Sequence, residues 1–130
     1  MSYKLSEKEQ AAVSALRPEQ RLEHFVKRVA DWEEIWSLKA PSDWVMAGTE
    51  SGARVFPIWP HPNYAKTCVC NQWSDSSPEA ISLEHFMNAW VPGLTKDGVK
   101  VAVFPTPNSG GAVTEPTALK ELLEKELENY

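Results

Sequence analysis

The sequence predicts an α+β protein, and three observations carry that prediction. Apolar residues recur at helical spacing in stretches near both ends and in the later middle of the chain. Short runs rich in aromatic and β-branched residues lie between them: "EIWSL", "WVMAGT", "RVFPIW" and "VKVAVF". The strand runs are grouped rather than alternating regularly with helices, which separates α+β from α/β. The expected order is α-α-β-β-β-α-α-β-α. It comprises an N-terminal helical pair, a three-stranded antiparallel meander, a fourth strand after a helical crossover, and a C-terminal helix.

Each element has a local reason. Ser6 followed by Glu9 reads as a capping box opening a helix over about 6–15. Pro18 suits the first turn of a second helix. There Leu22, Phe25, Val26, Val29 and Trp32 share a face, and Arg21, His24, Lys27, Arg28 and Asp31 take the other. "APSD" and "ESGA" then separate strands over 34–38, 44–49 and 54–59, with turn compositions at hairpin spacing. Pro62 starts a short helix over about 62–70, and "NQWSDSSPEA" reads as a loop. Ser82 caps a helix with Leu83, Phe86, Met87, Trp90 and Leu94 on one face, which Pro92 and Gly93 are expected to end. "KDG" turns into the strand 99–104, and "PTPNSGGAVTEP" is a polar loop. The last helix opens at Pro116 or Thr117, with Leu119, Leu122, Leu123 and Leu127 inward.

If the third and fourth strands are neighbours, the crossover makes them parallel and the sheet mixed. Pro57 argues mildly the other way, because it has no ladder donor. Neither face of the sheet is plainly polar, so both want cover. A face left uncovered would mark an interaction site.

Composition narrows the function classes. At 130 residues the expectation is a single domain over 1–130, long enough to bury a core without staples. Net charge is −5 and the bases are scattered, which argues against nucleic acid and against an anionic membrane surface. No run of about 18 apolar residues exists, so no membrane span is expected. The N-terminal stretch has no apolar region of the secretory kind. Two cysteines, Cys68 and Cys70, cannot form a disulfide framework. These features together predict a cytoplasmic protein, monomer or homodimer.

Candidate sites gather at "FPIWPHPNYA", where prolines, an indole, an imidazole and a phenol crowd a strand end. His61 reads either as a ligand or partner contact on a stiff backbone, or as a cap of the helix that follows. His61, Cys68 and Cys70 do not make a zinc pattern, since no second ligand pair lies at a customary interval. No serine has a nucleophile-elbow glycine pattern, and "NSGG" lacks the Lys-Ser/Thr of a phosphate loop. No cofactor, no metal and no catalytic residue is therefore expected. The tryptophans Trp32 and Trp90 fall at helix-core spacing. Trp36, Trp44 and Trp59 come from three successive strands, and core is the favoured reading with an aromatic groove as the minority one.

The segments "VADWEEIW", "PIWPHPNYA" and "ISLEHFMNAWVPGL…GVKVAVFPTP" resemble a family of small, mainly proteobacterial proteins, the domain-of-unknown-function family twenty-seven fifty. The resemblance covers about residues 5–125. It implies a compact cytoplasmic α+β domain and implies no activity, cofactor or catalytic residue. A weaker likeness of layout connects the chain to SseB-type domains and to small toxin-immunity proteins. That likeness concerns fold and carries little about function.

The functional expectation is a non-enzymatic binding or adaptor protein with an unknown protein partner. Its contact rim would be Trp44, Trp59, His61, Tyr64 and Phe104, provided Trp59 and Phe104 are not covered by the protein's own helices. The alternatives are a small enzyme using His61 as general acid or base, which requires a reactive partner in a cleft, and an immunity protein steered by its acidic charge toward a basic toxin.

Overall fold

The computed structural model describes residues 4–48, 52–70 and 73–129. The class is α+β, with the helical pair at the N-terminus and a helix at the C-terminus. The pair is α1 (Glu7–Ser14) and α2 (Pro18–Trp32). Ser6 Oγ accepts the Glu9 N–H at 3.1 Å to start α1, and Pro18 occupies the first turn of α2. The strands are β1 (Glu34–Lys39), β2 (Ala47–Gly48), β3 (Arg54–Ile58), β4 (Ser77–Ser82), β5 (Lys100–Val103) and β6 (Ala112–Thr114). The remaining helices are α3 (Pro62–Lys66), α4 (Leu83–His85), α5 (Val91–Lys96) and α6 (Pro116–Leu127).

Pairing departs from the expected meander. β2, β3, β5 and β6 form a four-stranded sheet in that order. β3 and β5 are parallel, as the helical crossover demands, and the other two pairs are antiparallel. β1 leaves this sheet and pairs antiparallel with β4, whose first four residues lie in the segment expected to be a loop. Among the described residues, isolated bridges tie β1 back, Trp36 to Trp59 and Lys39 to Trp44. Part of the expected second strand, Thr49, falls outside the described residues.

Pro57 shows how the strand tolerates this arrangement. Successive residues of a strand direct their backbone groups to opposite sides. The Ile58 carbonyl accepts the Phe104 N–H at 2.8 Å, toward β5. Pro57 therefore points the other way, between the end of β2 and the arrival of Trp36. No ladder donor is needed in that gap. The Pro57 carbonyl is still buried, and Ser37 Oγ donates to it at 2.6 Å. Proline thus sits at a break in the pairing rather than at the sheet edge.

Helix 83–96 does not end at Pro92 and Gly93. It widens into a π turn over Phe86–Trp90 and continues to Lys96. Pro92 has no N–H to give the carbonyl four residues back, and its ring would clash there. The Val91 N–H bonds the Phe86 carbonyl instead, five residues back. The wider turn stacks the Trp90 ring on Phe56 at 4.8 Å, with Trp44 edge-on at 5.1 Å.

The main core lies between one face of the sheet and the helices. Phe56, Ile58, Val101 and Val103 meet Phe25, Val29, Leu119 and Leu123, all with no exposed surface. Two expected core residues lie outside it, Trp32 and Leu122, each 41% exposed. Arg21, expected on the polar face of α2, is 3% exposed.

Replacing Ser37 by alanine leaves the buried Pro57 carbonyl without its donor. A stability loss of about 1–3 kcal/mol is expected, read as a lower urea midpoint with an unchanged slope.

Candidate functional site

Four of the five residues expected at a binding rim meet at one corner, and the corner is closed. Trp59 and Phe104 have no exposed surface, Tyr64 is 1% exposed and His61 is 5% exposed. The condition set for an exposed rim at this strand end is not met. His61 Nδ1 accepts the Asn63 N–H at 3.1 Å, so its lone pair caps α3. Trp59 Nε1 donates to the Pro105 carbonyl at 2.8 Å. Tyr64 lays its ring on Phe104 with centroids 4.5 Å apart. Trp44 is elsewhere: it packs on Phe56 and Trp90 on the helix-covered side, with the Lys39 ammonium 5.4 Å above its ring. The structure brings Trp59, His61, Tyr64 and Phe104 together and leaves Trp44 out.

What the corner does is hold a turn. Phe104 has φ of 59°, the left-handed region, which is costly for a bulky residue. Arg21 supports it from α2. Its Nε donates to the Phe104 carbonyl at 3.0 Å, Nη1 donates to the Leu16 carbonyl, and Nη2 donates to Ser109 Oγ at 2.9 Å. The guanidinium also sits 5.9 Å from the Phe104 ring centroid, within cation–π range. Burial lowers the Arg21 pKa and Glu19 opposes this, but an arginine remains charged in any such setting. Gly111 closes the turn at φ 77°, where a Cβ would lie 2.5 Å from the Val103 carbonyl oxygen. The chain thereby folds back from β5 into β6.

That turn forms one wall of a recess on the sheet face opposite the helices. Ala47, Val55, Pro57, Ala102 and Val113 make the floor, one residue or two from each of the four strands. Trp73 stands on one side, and Pro105 with Gly110 on another. The recess measures about 300 Å³. Val55 and Ala102 are each 3% exposed, yet neither belongs to the main core cluster. Among the described residues, no lining side chain is titratable. The one charge on this face of β5, Lys100, is engaged with Glu115 at 3.6 Å. Sequence reasoning missed these residues because alanine, glycine and valine carry no chemical signature. The absence of a polar sheet face was the available signal.

Among the described residues, no group of three or more His, Cys, Asp or Glu side chains could hold a metal ion. Cys68 is buried and Cys70 exposed. Burial pushes the Cys68 thiol up, against a hydrogen bond from Thr67. No described helix is long and apolar enough to cross a membrane.

A profile of the family described as "Protein of unknown function (DUF2750)" matches residues 22–123. The chain belongs to the DUF2750 family. The matched segment holds all the strands and every residue lining the recess. No curated protein and no solved structure gives a significant match.

Two outcomes test the corner of this DUF2750 member. Arg21→Met strips donors from the Phe104 and Leu16 carbonyls and from Ser109. A loss above about 2 kcal/mol is expected in urea unfolding, with Arg21→Lys recovering only part of it, because one ammonium cannot reproduce the planar fork. The second outcome concerns His24, packed edge-on to Phe104 at 6.4 Å with its buried Nε2 lacking a hydrogen-bond partner. Burial first, then Arg28 and Lys27 against Glu9, hold its pKa below the ordinary 6.5. The unfolded chain therefore takes the proton first. His24 contributes stability that is complete above about pH 6.5 and is lost as pH falls toward the lower folded value. The urea midpoint should drop on acidification over this range, and His24→Phe should flatten that drop.

Proposed function

We propose that this DUF2750 member is a non-enzymatic protein-binding domain of the bacterial cytoplasm. It takes an extended segment of a partner along the edge of β6, with one apolar side chain of that segment in the recess beside Trp73. The observation that carries the reading is the apolar recess on the sheet face away from the helices. A cavity of this kind at a sheet edge suits recognition by strand addition, where backbone bonds give affinity and a pocket for alternate side chains gives selectivity. β6 ends the four-stranded sheet, and Val113 on it is 45% exposed. The uncharged lining favours an apolar side chain over a charged one, since burying an unpaired charge is costly. Two cysteines that are not bridged to each other accord with a reducing compartment. Against a role in acid–base chemistry stands the use of His61 Nδ1 as a helix cap.

Gly110 offers a clean block. A Cβ there meets nothing within 4 Å, and its φ is not in the left-handed region, so leucine is tolerated by the fold. Panning a displayed peptide library against the wild-type protein should enrich peptides with alternating apolar residues. Those peptides should shift the amide resonances of Ala102, Gly110 and Val113. Gly110→Leu should weaken them at least tenfold while its thermal midpoint stays near wild type. Peptides that bind Gly110→Leu and Val113→Lys as well as wild type would refute the reading.

A further inference from the structure

We infer that α2 and α6 form the interface of a twofold homodimer. This surface is separate from the recess and does not depend on it. A groove of about 440 Å³ runs between the two helices. Its base is apolar, made by Leu22, Val26 and Leu122. On α6 the residues Leu119 and Leu123 turn inward with no exposed surface, whereas Leu122 turns out at 41%. An exposed leucine alone is ordinary, so the argument rests on what surrounds it.

Setting aside Glu19, which Arg17 engages, each helix presents one acid and one base to the groove. α2 gives Glu23 and Lys27; α6 gives Lys125 and Glu126. None of these four forms an ion pair within the chain among the described residues. Glu23 and Lys27 are four apart on one helix, a spacing that often pairs, and here they do not. The third acid at the groove, Glu19, is already engaged with Arg17 at 3.1 Å.

In a twofold contact, residue i meets residue j of the other copy and j meets i. If Glu23 meets Lys125 of a second copy, Lys125 then meets Glu23 of that copy. The same holds for Glu126 and Lys27. One symmetry operator thus satisfies both signs on both helices, and two acids against two bases cancel although the chain carries −5 overall. Any other partner would need this alternation independently, whereas a second copy has it by construction. Leu122 of each copy then enters the apolar groove of the other.

The test is a charge swap read by light scattering. Wild type should show twice the 14.6 kDa of the chain at micromolar to millimolar concentration. Glu23→Lys with Glu126→Lys makes the face basic apart from Glu19, which Arg17 engages, and Lys27→Glu with Lys125→Glu makes it wholly acidic. Each double variant alone should be monomeric. Mixed in equal amounts, they should recover the doubled mass, and salt should weaken that recovery. Leu122→Lys should remain monomeric while keeping its circular dichroism. A wild type that is monomeric over the whole range overturns the inference, even if the groove binds an amphipathic helix. So does a dimer that survives both double variants, or a mixture that fails to reassociate.

Discussion

At Phe104 the chain leaves β5 in a backbone conformation that a phenylalanine adopts only under compulsion. The compulsion comes from Arg21, a charge taken out of water and given three acceptors from three parts of the chain. The Leu16 carbonyl belongs to the connection between α1 and α2, the Phe104 carbonyl to the turn itself, and Ser109 to the segment leading into β6. One guanidinium fork therefore sets where the N-terminal helices lie against the sheet and where the last strand begins. Trp59 adds a fourth tie by bonding the Pro105 carbonyl from β3's end. A buried charge is a poor source of net stability. Its use here is geometric, because these segments must be arranged so that all three acceptors meet one planar fork.

That turn decides the shape of both sheet faces. On one side it lets Val101 and Val103 run straight into the helix layer. On the other it carries Pro105 and Gly110 to the recess, whose lining they share with Trp73. The small residues Ala47, Ala102 and Gly110 leave between them a volume that larger side chains would have filled. The two faces are thus asymmetric, one packed by long side chains and helices, the other floored by short side chains with walls from loops. Family membership adds no activity to this picture, so the weight of functional argument falls on that asymmetry.

The aromatic residues that draw attention in the sequence serve the corner rather than a rim. Trp59, Tyr64 and Phe104 interlock, and His61 spends its lone pair on the start of α3. Rigid prolines at a strand end fit both an exposed site and a packed corner, and only burial separates the two. Trp44 differs because it lies ahead of β2, bridged to Lys39, and packs on the helix side, where the π turn before Pro92 brings Trp90 against Phe56.

The sequence by itself determined the class and the helices with their starts, and it made β3 and β5 parallel on the condition that they are neighbours, which the structure supplied. These follow from local rules: periodicity along the chain, Ser6, Pro18 and Ser82 at helix starts, and the handed crossover between strands. Arg21 was assigned to the polar face and is buried, because a charged residue on a helix reads as solvated until its acceptors, distant in sequence, are known. Tertiary structure alone decided the rest. β4 has only Ile81 fully inside, so its strand character comes from its pairing with β1 and not from its own pattern. β6 is three residues long and exists because the Phe104 turn and Gly111 aim it at β5. The recess is a space between residues distant in sequence, and no residue type announces such a space. Leu122 and Trp32 show the same limit, because helical spacing marks which residues share a face but not how much of that face a neighbour will cover.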